Sequence, residues 1–325
     1  MAVPPLLLDF LTAKEVFMKN TNKSAQKPAA SHKKFYQKDW FIAYILLIPA
    51  FLFLFSIRLW PMVQGIGMSF TNRRLLNDRP LKFIAFDNYI RVFHDKEFWG
   101  VAGYTLAYAL GTVICSYLLG LGVALLMNMK IRYRGIFRMI LMIPWVVPGV
   151  VTAYIWKYAL NDQIGIINIM LQSLGLIKKP IGFLASPQGA RTMAIVVNVW
   201  KNYPYMALVM LAGLQSVSEE IKDAARIDGG GALDVFRYVV MPELRTVSMM
   251  CTTLVFIWSF NSFDSVFLLT GGGPNKATYV MSIEAYFQAF QKMNLGYATS
   301  MATVMLIFML VVSLFYMRIT SAPPD

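Results

Sequence analysis

Six long stretches with few or no charged residues limit what this chain of 325 residues can fold into. They cover residues 41–60, 101–129, 139–156, 192–214, 246–270 and 293–317. A helix of about 20 apolar residues crosses a bilayer core of about 30 Å, so each stretch is long enough to span a membrane. Charged residues make up only 14% of the chain, against about 25% in a typical soluble domain. The sequence therefore predicts an all-α, polytopic integral membrane protein with six transmembrane helices.

The distribution of charge predicts how these helices are oriented. The net charge is +13, but basic residues flank the apolar stretches instead of gathering in one polar domain. This pattern argues against a nucleic-acid-binding protein and fits contacts with anionic membrane lipid. Residues 1–39 hold seven lysines and predict a cytoplasmic tail, and the 130–138 loop has a second basic cluster of Lys130, Arg132, Arg134 and Arg138.

Because cytoplasmic loops are enriched in Lys and Arg, we place the 130–138 loop, the 215–245 loop and both termini in the cytoplasm. The membrane domain then covers residues 40–318, and residues 319–325 form a C-terminal tail. The 61–99 segment, placed outside, is also basic, so the charge pattern supports this orientation only in part. In two segments placed outside, 165–176 and 279–290, the sequence predicts short helices that do not span the membrane.

No pattern in the sequence predicts a catalytic centre or a metal site. Cys115 and Cys251 lie in separate apolar stretches, and neither His32 nor His94 has another metal-ligating residue at suitable spacing. The glycines at 271–273 precede Lys276 and Thr278 but lack the spacing of a phosphate-binding loop. We expect no cofactor on this chain.

The polar 215–245 segment predicts two short helices joined by a glycine turn. Ser218 is an N-cap candidate, and Glu219, Glu220 and Asp223 favour the start of a helix through its dipole. Ala224 and Ala225 would give that helix a small-residue face that a partner could approach closely. Glycines 229–231 end the helix, and a second stretch at 233–241 is predicted to stop at Pro242.

This segment resembles the coupling loop of binding-protein-dependent ABC importers. That loop reads Glu-Ala-Ala, three residues, Gly, nine residues, then Ile-x-Leu-Pro; here Asp223 replaces Glu, Val239 replaces Ile and Met241 replaces Leu. Residues 144–156, 204–215, 263–264 and 269–274 are similar to segments of carbohydrate-uptake permeases. Over residues 40–318 the chain is similar to permeases for maltodextrins and glycerol phosphate, and also to the first permease subunit of alginate importers.

The resemblance implies a type I ABC importer permease fold in the bacterial inner (cytoplasmic) membrane. It implies a second permease subunit, two ATPase subunits that bind ATP and Mg, a periplasmic solute-binding protein and a carbohydrate substrate. The chain itself would not be an enzyme. The residues implied in ATPase coupling are Glu220, Asp223, Ala224, Ala225, Asp228, Gly229 and Pro242. An ordinary connecting loop is the alternative interpretation of this segment.

Two charged residues within the apolar stretches, Lys201 and Asp264, are candidates for the solute pathway. A charge at the bilayer centre costs about 2.5–3.5 kcal/mol, so it tends to serve a function. Nearby hydrogen-bonding and aromatic residues suit sugar hydroxyls and ring faces; they are Asn198, Trp200, Asn202, Tyr203, Tyr205, Asn261 and Ser262. Alternatively, Lys201 reaches an interface and Asp264 caps a helix. Pro144 and Pro148 predict a kink in the third stretch. The kink could expose backbone carbonyls to the cavity, or it could serve only the packing of the helices.

Two other classes of protein remain open on the residues alone. An ion-coupled secondary transporter more often contains inverted repeats, which the sequence does not display. A polytopic membrane enzyme needs clustered acids, histidines or a nucleophile at one membrane face, and only the 215–245 segment has clustered acids.

Overall fold

The computed structural model describes residues 39–76, 80–129 and 132–320, which are mostly helical. Within these ranges the only β pairing outside helices is an isolated antiparallel bridge between Thr71 and Phe83. The chain divides into two compact units, one ending at Met62 and one beginning at Val63. The predicted tail at 1–39 lies outside the described residues except for Asp39, and so do residues 321–325.

The first apolar stretch forms a longer helix than expected. Helix α1 (Asp39–Leu54) continues through a π turn (Phe55–Leu59) into α2 (Trp60–Ser69). Together they contain an apolar helix of 27 residues, Ala43–Ser69. The helix thus continues beyond residue 60, where the first apolar stretch was expected to end, and Arg58 lies within it. A single arginine does not end a helix, because its aliphatic stem can pack with apolar groups while its guanidinium extends away from them.

The second unit contains the remaining helices in the described part of the chain. In chain order they are α3 (Asp87–His94), α4 (Lys96–Asn128), α5 (Arg134–Val146), α6 (Gly149–Ala159), α7 (Ile166–Ser173), α8 (Pro187–Ser216), α9 (Glu219–Ile227), α10 (Ala232–Val235), α11 (Met241–Glu243), α12 (Arg245–Phe260), α13 (Asp264–Thr270), α14 (Met281–Phe290) and α15 (Leu295–Thr320). A π turn, Phe236–Val240, joins α10 to α11. Helices α7 and α14 confirm the two short helices predicted at 165–176 and 279–290.

Two stretches predicted as single spans are broken. In the third stretch, α5 and α6 meet at an angle of 92°. Val147 is extended and Pro148 has no backbone N–H, so the helical hydrogen bonds stop there. The kink expected from the prolines is thus a full break. In the fifth stretch, α12 ends at Phe260 and α13 begins at Asp264. In the gap, the Asn261 Nδ2 donates a hydrogen bond of 2.9 Å to the Ile257 carbonyl, a local bond of the kind that competes with helix continuation.

The number of membrane spans therefore remains a prediction. By length and composition, three helices in the described ranges can cross a membrane: Ala43–Ser69, Lys96–Asn128 and Leu295–Tyr316. The count rises to five if each of two bent helix pairs forms one span; the second pair, Ala232–Glu243 and Arg245–Phe260, is bent by 65°. Helix α8 is long enough, with 30 residues, but more polar.

Helices α4 and α8 form the centre of the second unit and cross at a glycine. A Cβ atom added to Gly120 would lie 2.5 Å from the Met206 Cβ, so only glycine permits this approach. Buried side chains from α4, α8 and α12 pack around the crossing, among them Ala124, Met210 and Val255. This packing fixes α8, which carries much of the polar chemistry described below.

Candidate solute cavity and coupling segment

Helix α9 begins and ends as local sequence chemistry predicts. The Ser218 hydroxyl oxygen accepts a hydrogen bond from the Glu220 N–H at 3.2 Å, which confirms the N-cap. At the other end, the Gly229 N–H donates to the Arg226 carbonyl and the Gly230 N–H donates to the Ala225 carbonyl. This pair of bonds is a Schellman motif, and its C′ residue, Gly229, has a φ of +91°.

The coupling residues expected from the sequence lie mostly on an open surface. Glu220, Asp223, Ala224, Asp228, Gly229 and Pro242 are exposed, and Ala225 is half-buried. The Asp223 carboxylate accepts a hydrogen bond from the Arg226 guanidinium at 2.7 Å within the same helix. Lys222 is buried and pairs with Glu219 at 2.9 Å. Both of these ion pairs lie within α9 itself.

Sequence reasoning missed the apolar part of this surface. Ile227 is 85% exposed and Leu233 is 75% exposed, and Ile221 and Tyr238 of the same segment are also exposed. Their spacing among charged residues resembles an ordinary amphipathic pattern, so it gives no signal of its own. Several large apolar side chains exposed on one short segment are typical of a contact surface for another protein.

The 215–245 segment is firmly attached to the helix bundle. Val240 and Leu244 pack in the same buried cluster as Met210 and Leu214 of α8. A Cβ added to Gly213 would lie 2.7 Å from the Leu244 Cδ2, so the two parts touch closely. The second stretch ends one residue past the predicted stop at Pro242, because α11 ends at Glu243 and the chain then bends by 65° into α12. Proline is tolerated in the first turn of a helix, and the chain continues through α11 into α12.

A polar cavity of about 400 Å³ lies between five helices of the second unit and the gap after α12. Six of the expected pathway residues line it: Asn198, Lys201, Asn202, Asn261, Ser262 and Asp264. The other lining residues are Trp145, Gly149, Trp258, Phe263 and Ser265. The broken stretches supply many of these groups, because the breaks in α5–α6 and α12–α13 turn backbone and polar side chains toward one space.

Lys201 is anchored by one of these breaks. Its Nζ donates a hydrogen bond of 2.7 Å to the Val147 carbonyl, and Val147 is extended at the break between α5 and α6. Lys201 lies near the middle of α8 and is half-buried. Asp264, which also lines the cavity, is exposed and is the first residue of α13; the N-cap position belongs to Phe263. The cavity thus contains one basic and one acidic side chain.

Asn198 joins three helices at the inner wall of the cavity. Its Nδ2 donates to the Thr112 hydroxyl at 3.2 Å and to the Ser259 hydroxyl at 3.0 Å. Its Oδ1 accepts a hydrogen bond from the Asn202 Nδ2 at 2.9 Å. Because these bonds occupy the buried amide, Asn198 holds α4, α8 and α12 in position as well as lining the cavity.

Aromatic residues form a second wall. Tyr205 stacks on Trp145 with ring centroids 5.8 Å apart and packs against Trp258 at 5.1 Å, and both tryptophans line the cavity. The sequence did not single out Trp145 or Trp258, because both lie in stretches interpreted as uniformly apolar. Trp200 packs edge-on against Trp156 at 5.6 Å, and neither Trp200 nor Tyr203 is among the lining residues.

The described residues contain no group of three or more His, Cys, Asp or Glu side chains placed to hold a metal ion. The two cysteines are separate and free, Cys115 exposed and Cys251 buried.

Residues 116–322 match the family model of binding-protein-dependent transport system inner membrane components. The chain is 32% identical to the trehalose/maltose transport system permease protein MalF of Thermococcus litoralis, over 84% of this chain and 90% of that protein. It is 31% identical to the sulfoquinovosyl glycerol transport system permease protein SmoG of Agrobacterium fabrum, over 86% and 91% of the two chains.

The fold is similar to that of a solved structure with little sequence identity. A chain in the crystal structure of a bacterial alginate ABC transporter, in complex with an alginate pentasaccharide-bound periplasmic protein, superposes with a TM-score of 0.74. The identity is 22%, and the match covers 90% of this chain and 99% of that one.

Proposed function

The chain belongs to the binding-protein-dependent transport system inner membrane components and is a permease subunit of an ABC importer with the all-α, type I permease fold. On this premise, we propose that its solute is a carbohydrate or oligosaccharide. A periplasmic binding protein would deliver this solute. Relatives named for trehalose/maltose and for sulfoquinovosyl glycerol support a sugar-like solute. The protein is an inner membrane component.

The observation that carries the proposal is the polar and aromatic cavity. Its volume of about 400 Å³ falls within the range of small-ligand sites, roughly 300–1,000 Å³. Trp145 and Trp258 offer flat faces on which sugar CH groups can pack, and Asn261, Lys201 and Asp264 offer hydrogen bonds to hydroxyls. We propose that the solute passes this cavity on its way through the membrane.

We propose that α9 couples this pathway to ATP hydrolysis. Two separate ATPase subunits would bind ATP and Mg, receive α9 and the exposed apolar residues Ile227 and Leu233, and close on ATP. Since Val240 and Leu244 pack directly on α8, movement of the segment would move the helix that carries Lys201. A second permease subunit would complete the pathway. Both termini would lie in the cytoplasm.

Paired substitutions test the solute cavity. Lys201→Met and Asp264→Asn should change the solute concentration that gives half-maximal transport, roughly tenfold for one lost charge-assisted hydrogen bond. Transport is measured in proteoliposomes containing the complete importer, with assembly checked by size-exclusion chromatography. Lys157→Met is the matched control, since Lys157 is an exposed lysine of α6 away from the cavity lining. An unchanged concentration dependence in both cavity variants would remove Lys201 and Asp264 from the pathway.

Gentle purification of the chain from its native membrane tests the partners. An ATPase that co-purifies and is stimulated by solute-loaded binding protein is the expected result. Transport driven by an ion gradient, with no ATPase present, would contradict the importer proposal and favour a secondary transporter.

A further inference from the structure

A second cavity, of about 600 Å³, runs along the outer face of α5 and is separate from the solute cavity. Its lining residues are Arg138, Met139, Met142, Ile143, Val146, Val147 and Pro148. Arg138, Met142 and Val146 follow one another at intervals of four residues, and Met139 and Ile143 do the same, so these residues form two adjacent rows on one face of α5. The rise of an α-helix gives the groove a length of about 12 Å from Arg138 to Val146. One end is basic and the remainder is apolar.

The basic end lacks an acceptor for one of its hydrogen-bond donors. The Nε of Arg138 is buried and has no hydrogen-bond partner among the described residues. The cavity on the other side of Arg138 is also mostly apolar, with Met127, Leu141 and Leu211 in its lining. A buried guanidinium N–H requires an acceptor, and neither wall supplies one.

The other described arginines of the 132–138 segment have contacts of their own. The Arg134 Nη2 donates to the Met129 carbonyl at 2.6 Å, and the Arg132 guanidinium lies over the Tyr133 ring at 5.3 Å. They still add positive charge around Arg138, without competing for the same acceptor. Met139 and Val146 are each 70% exposed along the groove, so its apolar rows are open to the surroundings.

We propose that this groove binds one anionic phospholipid, with the phosphate accepting from Arg138 and an acyl chain lying along Met142, Ile143 and Val146. The positive charge of Arg138 favours an anionic headgroup, since basic residues beside a membrane attract anionic lipid. The apolar part of the groove favours a lipid over free phosphate, because an acyl chain can pack along it. This site differs from the solute cavity in every lining residue, and it does not depend on the identity of the transported solute.

Native mass spectrometry of the purified, delipidated complex tests the proposal, with phosphatidylglycerol and phosphatidylcholine of identical acyl chains as probes. Phosphatidylglycerol should bind the wild-type complex more tightly than phosphatidylcholine. Arg138→Gln should weaken phosphatidylglycerol binding at least about tenfold, as loss of a hydrogen bond to a charged group implies. Arg138→Lys should retain most of the headgroup preference, and inorganic phosphate should not displace the lipid.

A second pair of variants tests the apolar part of the groove. Ile143→Trp fills the groove and should weaken binding of both lipids. Ile140→Trp is the matched control, because Ile140 is exposed on the same helix but does not line the groove. Equal phosphatidylglycerol binding by wild type, Arg138→Gln and Ile143→Trp would overturn the proposal. So would crosslinking from Ile143 to a second permease subunit together with exclusion of lipid, because a protein would then cover the groove.

Discussion

At the residue scale, Gly229 determines how α9 ends and what surface it presents. Its φ of +91° costs other residues about 1 kcal/mol, but a Cβ there would meet no atom of the described residues outside its own chain neighbours within 4 Å. A large side chain would therefore project toward a partner. We expect Gly229→Leu to abolish transport and solute-stimulated ATPase activity, measured in proteoliposomes, while the chain still inserts in the membrane.

Two other glycine variants separate backbone strain from obstruction of the partner. Gly175 has a φ of +71° and equally open surroundings, but it lies outside the coupling segment. Gly175→Leu should thus incur a similar backbone cost and still transport. Gly229→Ala should incur the same backbone cost but obstruct the partner little, so it should retain most of the transport activity. If Gly229→Leu transports like the wild type, the segment is only a connector between helices.

At the scale of elements, the crossing of α4 and α8 depends on Gly120. A Cβ there would lie 2.5 Å from the Met206 Cβ and 3.0 Å from the Ala207 nitrogen, so backbone would have to move. Gly120→Ala should lower the free energy of unfolding by about 1–3 kcal/mol, as overpacking does. The melting temperature of the purified protein in detergent measures this loss.

The same helix provides a control variant that should change the melting temperature in the opposite direction. A Cβ added to Gly122 would meet no atom of another element within 4 Å. Gly122→Ala should raise the melting temperature, since alanine favours a helix over glycine by up to about 1 kcal/mol. Equal effects of the two substitutions would show that the close crossing of α4 and α8 contributes little to stability.

At the scale of the whole molecule, the predicted orientation assigns the coupling segment and α7 to opposite sides of the membrane. In a variant whose native cysteines are replaced, Leu233→Cys should react with an impermeant maleimide only from the cytoplasmic side. Gln172→Cys should react only from the periplasmic side. Both positions are exposed, so access within the protein does not limit labelling. Labelling of Leu233→Cys from outside would reverse the orientation and contradict coupling to a cytoplasmic ATPase.

Local sequence was sufficient for features that depend on a few neighbouring residues. Ser218 caps α9 and Gly229 ends it because capping and left-handed turns use side chains and backbone within one turn of helix. The membrane class followed from the length and apolar character of whole stretches. Lys201 and Asp264 were found because charge is rare in such stretches.

Tertiary packing decided the features that depend on residues distant in sequence. An apolar stretch does not reveal whether a proline kinks or breaks it, and the 92° turn after Val146 depends on how α5 and α6 pack on other helices. Trp145 and Trp258 became cavity residues because Tyr205 lies between them. Only the structure shows that Ile227 and Leu233 stay exposed when the helices have packed. Sequence thus determined the membrane class and the local helix ends, because both depend on residues that are neighbours in the chain. The packing of the helices determined which side chains meet, because those side chains are far apart in sequence and close only in the folded protein.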